Sequence, residues 1–184
     1  ISPTLYTYAP GGYTWVTAPV GQLKPWEGYW VKAKVTCWLR VPPVPAGITG
    51  FGTSRAPAVR ASDGGWQIRL SVSVDGVPTD AHNFIGVAPG ASDGADSRDV
   101  DEPPAADDQA ALWLVQGGRQ LAQDLRSDAA GTKGWDMEVV TPPGQRSLSL
   151  SWPDLRSLPR SLEAFLEDEA TGRKVSMRTQ AAYA

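Results

Sequence analysis

The chain has 184 residues, 41% of them hydrophobic, which suits one ordinary domain, with or without a small companion, and a core that needs no staples. A formal charge of -3 gives no general attraction to nucleic acid, no run approaches the ~20 apolar residues that span a bilayer, and a single cysteine excludes an internal disulfide framework. Sixteen prolines and nineteen glycines, about one residue in five, disfavour long helices and favour short strands between turns, so the expected class is all-β.

Residues 1–42 read as two hairpins rich in aromatic and β-branched residues. TLYTY and YTWVTA flank Ala9-Pro10-Gly11-Gly12, and GYWVKA and TCWLRV flank Lys34-Val35. Cys37, inside the alternating VTCWLRV, is expected as a small buried apolar residue. Four of the eight tryptophans and four of the five tyrosines fall in this region. A thin sheet uses such rings to bury about 150–250 Å² each; an exposed platform uses them to stack on sugar rings. Alternation sets Tyr29 and Val31 on one face and Trp30 with Lys32 on the other, which makes Trp30 the exposed ring.

PPVPAGITGFGTSRAPAVRA, from Pro42 to Ala61, has no sustained periodicity and reads as a linker or strap. The expected organisation is therefore an aromatic-rich hairpin unit at 1–43, a Pro/Gly-rich linker at 44–62 and a β-sandwich domain at 63–184. WQIRLSVSV opens that domain with Trp66, Ile68, Leu70, Val72 and Val74 on one face and polar residues on the other, an antiparallel sandwich strand. DGVPTD follows as a turn, then NFIGV, a long acidic connection, and the short segments ALWLVQ, QLAQDLR, GWDMEVV, SLSLSW, LEAFLED and RKVSMR. Trp135, Met137 and Val139, and Leu148, Leu150 and Trp152, are expected inward faces. Leu155 to Glu169 fits a helix or a strand, with the strand favoured because LEAFLED and RKVSMR pair across Glu169-Ala170-Thr171-Gly172. Seven or eight short strands predict an antiparallel two-sheet sandwich, Ig-like or jelly-roll-like.

Two stretches carry a resemblance. LKPWEGYWVKAKVTCWLRVPP is similar to a recurring segment of large secreted bacterial cell-surface proteins, although the G-W-N-x-x-G type strand that usually lies upstream is absent, so that residues 1–42 read as the tail of a longer unit. From about Gly65 to Tyr183, the order W-x-I-x-L, N-F-I-G-V-A, A-S-D-G-A-D-x-x-D-x-x-E-P-P, G-W-D-M-E-V, L-S-L-S-W and L-E-A-F-L-x-D-x-x-T-G resembles a module from the C-terminal parts of secreted bacterial proteins, many of which end in Ig-like or type IX secretion sorting domains. The resemblance implies an extracellular or cell-surface spacer or binding module whose partners are neighbouring domains of its own polypeptide. It carries over no catalytic residue.

The residues offer three chemistries. Asp93 to Asp108 holds seven acidic residues against Arg98 alone, and Asp93, Asp96, Asp99 and Asp101, with Gly94 for a tight bend, are candidate ligands for Ca²⁺, which takes about six to eight oxygens. Their spacing is not that of an EF-hand, and solvated, turn-capping aspartates are the alternative. Trp26, Trp30 and Trp113 are candidate platform residues for a glycan. An enzyme is not expected: there is no G-x-S-x-G elbow, and His82 reads as a hydrogen-bonding residue at a loop edge. The pairs Asp136/Glu138 and Glu163/Glu167 read as wet faces rather than an acid and base in a cleft.

Overall fold

The computed structural model describes residues 4–9, 12–17, 23–24, 27–38, 64–103, 109–141, 143–144 and 147–184. The expected linker at 44–62 and Trp26 lie outside these residues. The chain divides into two compact units, Ile1–Ala58 and Val59–Ala184, and the described residues are all-β with no helix.

In the first unit, β1 (Thr4–Ala9) and β2 (Gly12–Thr17) form the expected hairpin, and β3 (Trp30–Val31) pairs with β1 on its other side. Of the second expected hairpin, only Trp30–Val31 is a strand among the described residues, and residues 39–41 lie outside them. Lys32 to Trp38 carries no strand, and Cys37 is exposed rather than buried. Alternation alone placed Cys37 in a core, yet among the described residues no strand pairs with Thr36 to Trp38.

The second unit contains β4 (Trp66–Val74), β5 (Val77–Val87), β6 (Val100–Asp101), β7 (Ala111–Gln116), β8 (Arg119–Arg126), β9 (Asp136–Val140), β10 (Leu148–Ser151), β11 (Phe165–Asp168), β12 (Arg173–Ser176) and β13 (Ala182–Tyr183). Eight of these make one curled half-barrel in the order β13-β10-β4-β5-β8-β7-β9, with β6 also paired to β8. β11 and β12 pair separately around Gly172, whose φ of +68° suits glycine, as expected. The sheet is mixed: β5 and β8 run parallel through Phe84↔Gln123 to Val87↔Arg126. A parallel pair needs a long crossover, here the connection from Ala88 onward.

The core fills the inside of the curl. Ile68, Leu70, Val72 and Val74 of β4 face Leu112 and Leu114 of β7, with Ile85, Leu121 and Leu150 beside them. Trp152 closes one end: its indole N–H is shared between the carbonyls of Met177 (2.8 Å) and Gln180 (2.6 Å), so the largest buried ring also anchors the C-terminal segment. Trp135, Met137 and Val139 pack against this core as expected.

The expected turn DGVPTD shortens to Asp75-Gly76, whose φ values of 51° and 79° match a two-residue hairpin turn. Val77 to Asp80 then belongs to β5, which is 11 residues long and twice bulged against β4. Leu70 pairs with Asn83 and Val72 with Asp80, so Ala81 and His82 together oppose Ser71; Ser73 pairs with Pro78, which leaves Thr79 as a second extra residue. Each bulge resets the alternation. Asp80 and Asn83, of opposite parity, therefore face the same interior.

Among the described glycines, Gly86 alone has no room for a Cβ. A Cβ there would run into the carbonyl oxygen of Trp66, 3.0 Å from Gln67 Cα and 3.2 Å from a Leu125 methyl. Gly86→Ala is expected to destabilise the protein by about 1–3 kcal/mol through overpacking, read as a lower urea midpoint at unchanged slope.

Candidate functional site

The acidic connection between β5 and β6 is laid along β8 in the antiparallel sense. Asp93 accepts from Ser127 N (3.1 Å) and Oγ (2.7 Å), while Asp99 Oδ1 accepts from Leu125 N (3.2 Å). The Arg98 carbonyl accepts from Gln123 Nε2 (2.7 Å), Val100 pairs with Gln123 and Asp101 with Leu121, and Glu102 N donates to the Gln120 carbonyl (2.9 Å). Positions 93 to 102 thus meet 127 down to 120. Carboxylates stand in where a strand would offer carbonyls.

Each of the four aspartates has protein donors. Lys133 Nζ lies 2.8 Å from both oxygens of Asp93, and this ammonium holds the exposed carboxyl down at about 2. Asp96 closes its own turn by accepting from Ser92 N and Arg98 N, each at 2.6 Å. Asp99 Oδ2 accepts from Asp96 N (2.8 Å), but burial outweighs these bonds and pushes its carboxyl up to about 6. Asp101 is buried and bridged by Arg119 Nη2 at 2.9 Å. Among the described residues no three His, Cys, Asp or Glu side chains group as a metal site.

Two polar side chains of β5, Asp80 and Asn83, face the core, and a carboxylate oxygen of Glu102 is buried at the end of the connection. Asp80 Oδ2 accepts from Leu112 N (2.8 Å), so a side chain takes the place of a strand partner at the start of β7. Asn83 is 0% exposed, and neither its Oδ1 nor its Nδ2 has a hydrogen-bond partner. Glu102 Oε2 is likewise buried and unpartnered, and burial, reinforced by Asp80, pushes the Glu102 carboxyl up to about 9. Orphaned polar groups of this kind cost about 1–3 kcal/mol each. None of Asp80, Asn83 and Glu102 stands out in the sequence as a site, because strict alternation sends Asp80 and Asn83 to opposite faces. The available signal was the Asp and Asn flanking His82 just before an apolar run.

His82 sits within β5 rather than at a loop edge. Its Nδ1 is buried and unpartnered, and burial, with Arg69 nearby, lowers its pKa. Asp136 and Glu138 are both on the exposed face of β9, as expected, and Glu138 Oε2 accepts from Trp113 Nε1 (2.9 Å). Trp113 is thereby half-buried and pinned across the β7–β9 pair. Glu163 lies before β11 while Glu167 pairs across it with Lys174, 3.6 Å away, so those two share no element.

Trp30 belongs to the first unit. Register sets Trp15, Tyr6 and Trp30 in one row, with Tyr8 and Tyr13 along the same face. Tyr6 and Trp15 are buried, whereas Trp30 is 58% and Tyr8 52% exposed. Tyr8 and Tyr13 meet edge to face at 5.3 Å. Just upstream, the Tyr29 hydroxyl accepts from Lys24 N (2.9 Å) and donates to Glu27 (3.0 Å), which fixes the chain where it enters β3.

The raised carboxyls set the direction of the pH response. Folded Glu102 keeps its proton up to about 9 while the unfolded chain releases it near 4.5, and folded Asp99 keeps its proton up to about 6 against 3.8. In those windows the folded state binds more protons, so stability falls as pH rises, by up to about 1.4 kcal/mol per pH unit for each group. Urea unfolding in chelator-containing buffer is expected to give a higher free energy at pH 5 than at pH 8. Glu102→Gln should flatten the slope between pH 6 and 9 and stabilise the protein at pH 8; an unchanged slope would assign it to other groups.

Compared with family models, with curated proteins and with solved structures, the chain matches none of them.

Proposed function

We propose that the chain is a non-catalytic extracellular module of a larger bacterial secreted or surface protein, acting as a spacer, stabiliser or docking unit beside neighbouring domains of its polypeptide. In this reading the curled sheet is a two-sheet sandwich of Ig-like or jelly-roll-like kind, with the β4 side packed over the β7 side. The observation that carries it is the acidic connection stitched along β8 from Asp93 to Glu102. The aspartates of this connection are spent on holding a long crossover against β8, a use that serves a strut. Protease treatment of intact source cells is expected to release peptides of this chain, and their appearance only after lysis would overturn the extracellular assignment.

A second reading has its own observation. The open half of the aromatic face, Trp30 with Tyr8 and Tyr13, presents rings of the kind on which sugars stack, so the first unit is proposed as a carbohydrate-binding surface. A broad glycan array separates the two. Binding that falls at least tenfold in Trp30→Ala, with the circular dichroism spectrum unchanged, supports the glycan surface; silence of the wild-type chain across the array leaves the spacer.

A further inference from the structure

The large sheet ends differently at its two edges. At one, β13 has only two residues, and its Tyr183 is tied to the separate β11–β12 pair: the phenol donates to Asp168 Oδ2, and the Arg173 guanidinium lies 5.1 Å from the ring centroid. At the other, β9 runs for five residues in unbroken register with β7, from Ala111↔Val140 to Val115↔Asp136. Among the described residues no strand pairs with its outer side. In an antiparallel pair alternate residues turn their N–H and C=O away from the partner, so β9 presents a row of unpaired backbone groups. It carries no proline, lysine or bulge, three of the devices that close natural edges. The core also runs out here. Leu112 and Leu114 of β7 are 0% exposed, whereas Val139 and Met137, paired with them on β9, stay partly exposed while packing against the same core. On the other face of β9, Asp136 and Glu138 are both exposed.

We propose that the open edge of β9 is a docking site for an extended segment of a partner protein in which Lys or Arg alternates with aliphatic residues. Laid along β9, such a segment would take up the edge N–H and C=O groups in backbone hydrogen bonds, which supply affinity, while its side chains supply choice. Its aliphatic residues would cover Met137 and Val139 from the open side, and its cations would lie beside Asp136 and Glu138. Glu138 is held on that face by Trp113 Nε1, 2.9 Å from its Oε2. The charge pattern disfavours a second copy of the chain as the occupant. Antiparallel self-pairing over all five residues sets Glu138 opposite Glu138 and Asp136 opposite Val140, and like charges directly opposite destabilise a sheet. Docking at β9 does not depend on the chain being extracellular, so its absence would leave that assignment standing.

The probe is a synthetic peptide alternating lysine and valine, titrated into the full chain by calorimetry, with amide hydrogen exchange to locate it. It is expected to bind about tenfold or more tightly than either of two controls of the same length, an alternation of glutamate and valine and a peptide with its lysines and valines in separate blocks. The amides of Asp136 to Val140 should gain protection in the complex. Asp136→Lys, which reverses an exposed charge, should keep the circular dichroism spectrum and weaken binding by about threefold or more, and added salt should weaken it in the wild type. Equal binding of the blocked peptide would reduce the effect to net charge and overturn the proposal. Protection gained elsewhere than in β9, or no heat at about 1 mM peptide, would overturn it as well. So would a concentration-dependent dimer whose β9 amides are already protected, since the edge would then belong to a second copy. The peptide comparisons need no variant and decide the matter even where Asp136→Lys fails to fold.

Discussion

The hydrogen bond from Leu112 N to Asp80 Oδ2 governs how the large sheet closes. β8 pairs with β7 at Leu121 to Arg119 and with β5 at Gln123 to Arg126, so the start of β7 diverges from β8 and runs beside β9. At that divergence the backbone N–H of Leu112 faces the interior, where leaving it unpaired costs free energy comparable to a lost hydrogen bond. Asp80 supplies the acceptor from β5. The sheet can therefore curl, and Leu112 and Leu114 can meet the β4 face, because one buried carboxylate bridges the gap.

The same economy recurs outside the curl. A crossover between parallel strands usually contains a helix, which satisfies its own backbone. This one has side chains instead: the carboxylates of Asp93 and Asp99 accept amide hydrogens from Ser127 and Leu125, and Asp96 closes the local turn. Concentrating acids in this way has an electrostatic cost, offset in part by Lys133 on Asp93, Arg119 on Asp101 and Arg126 on the buried Asp124. At Asp99 and Glu102, which form no ion pair among the described residues, the cost emerges as carboxyls that hold their protons. Stability in this unit is consequently tied to pH.

How much of this was legible in the sequence follows from which physical signal each element carried. β4 was visible because nine residues alternate without interruption, and β1, β2, β9 and β10 because their aromatic and aliphatic residues keep the same period. The β11–β12 hairpin was visible through Gly172. β5 was misread at its start, since Pro78 and Asp80 look like turn residues and the bulges scramble parity from Val77 to Asn83. Asp80 and Asn83 were hidden for the same reason: they come to one face only through the bulge at Ala81 and His82. The aspartates of the connection were legible as a group but not in their use, because their donors come from Ser127, Leu125 and Lys133, far along the chain.

The first unit raises the opposite question, of residues that folding does not require. Three short strands are near the lower limit for a stable sheet, and burying Tyr6 and Trp15 is how this one gains area. Trp30 continues the same row at an edge strand of two residues, yet more than half of its surface stays in water, and the exposed Tyr8 meets the half-buried Tyr13 edge to face. Such rings add little to the sheet's own stability. A polar residue at Trp30 would keep the backbone pairing with Tyr6 and lower the hazard that exposed aromatic edges pose for association. The buried part of the aromatic row ends at Trp15 and Tyr6, and Trp30 beyond them belongs to the surface proposed for recognition.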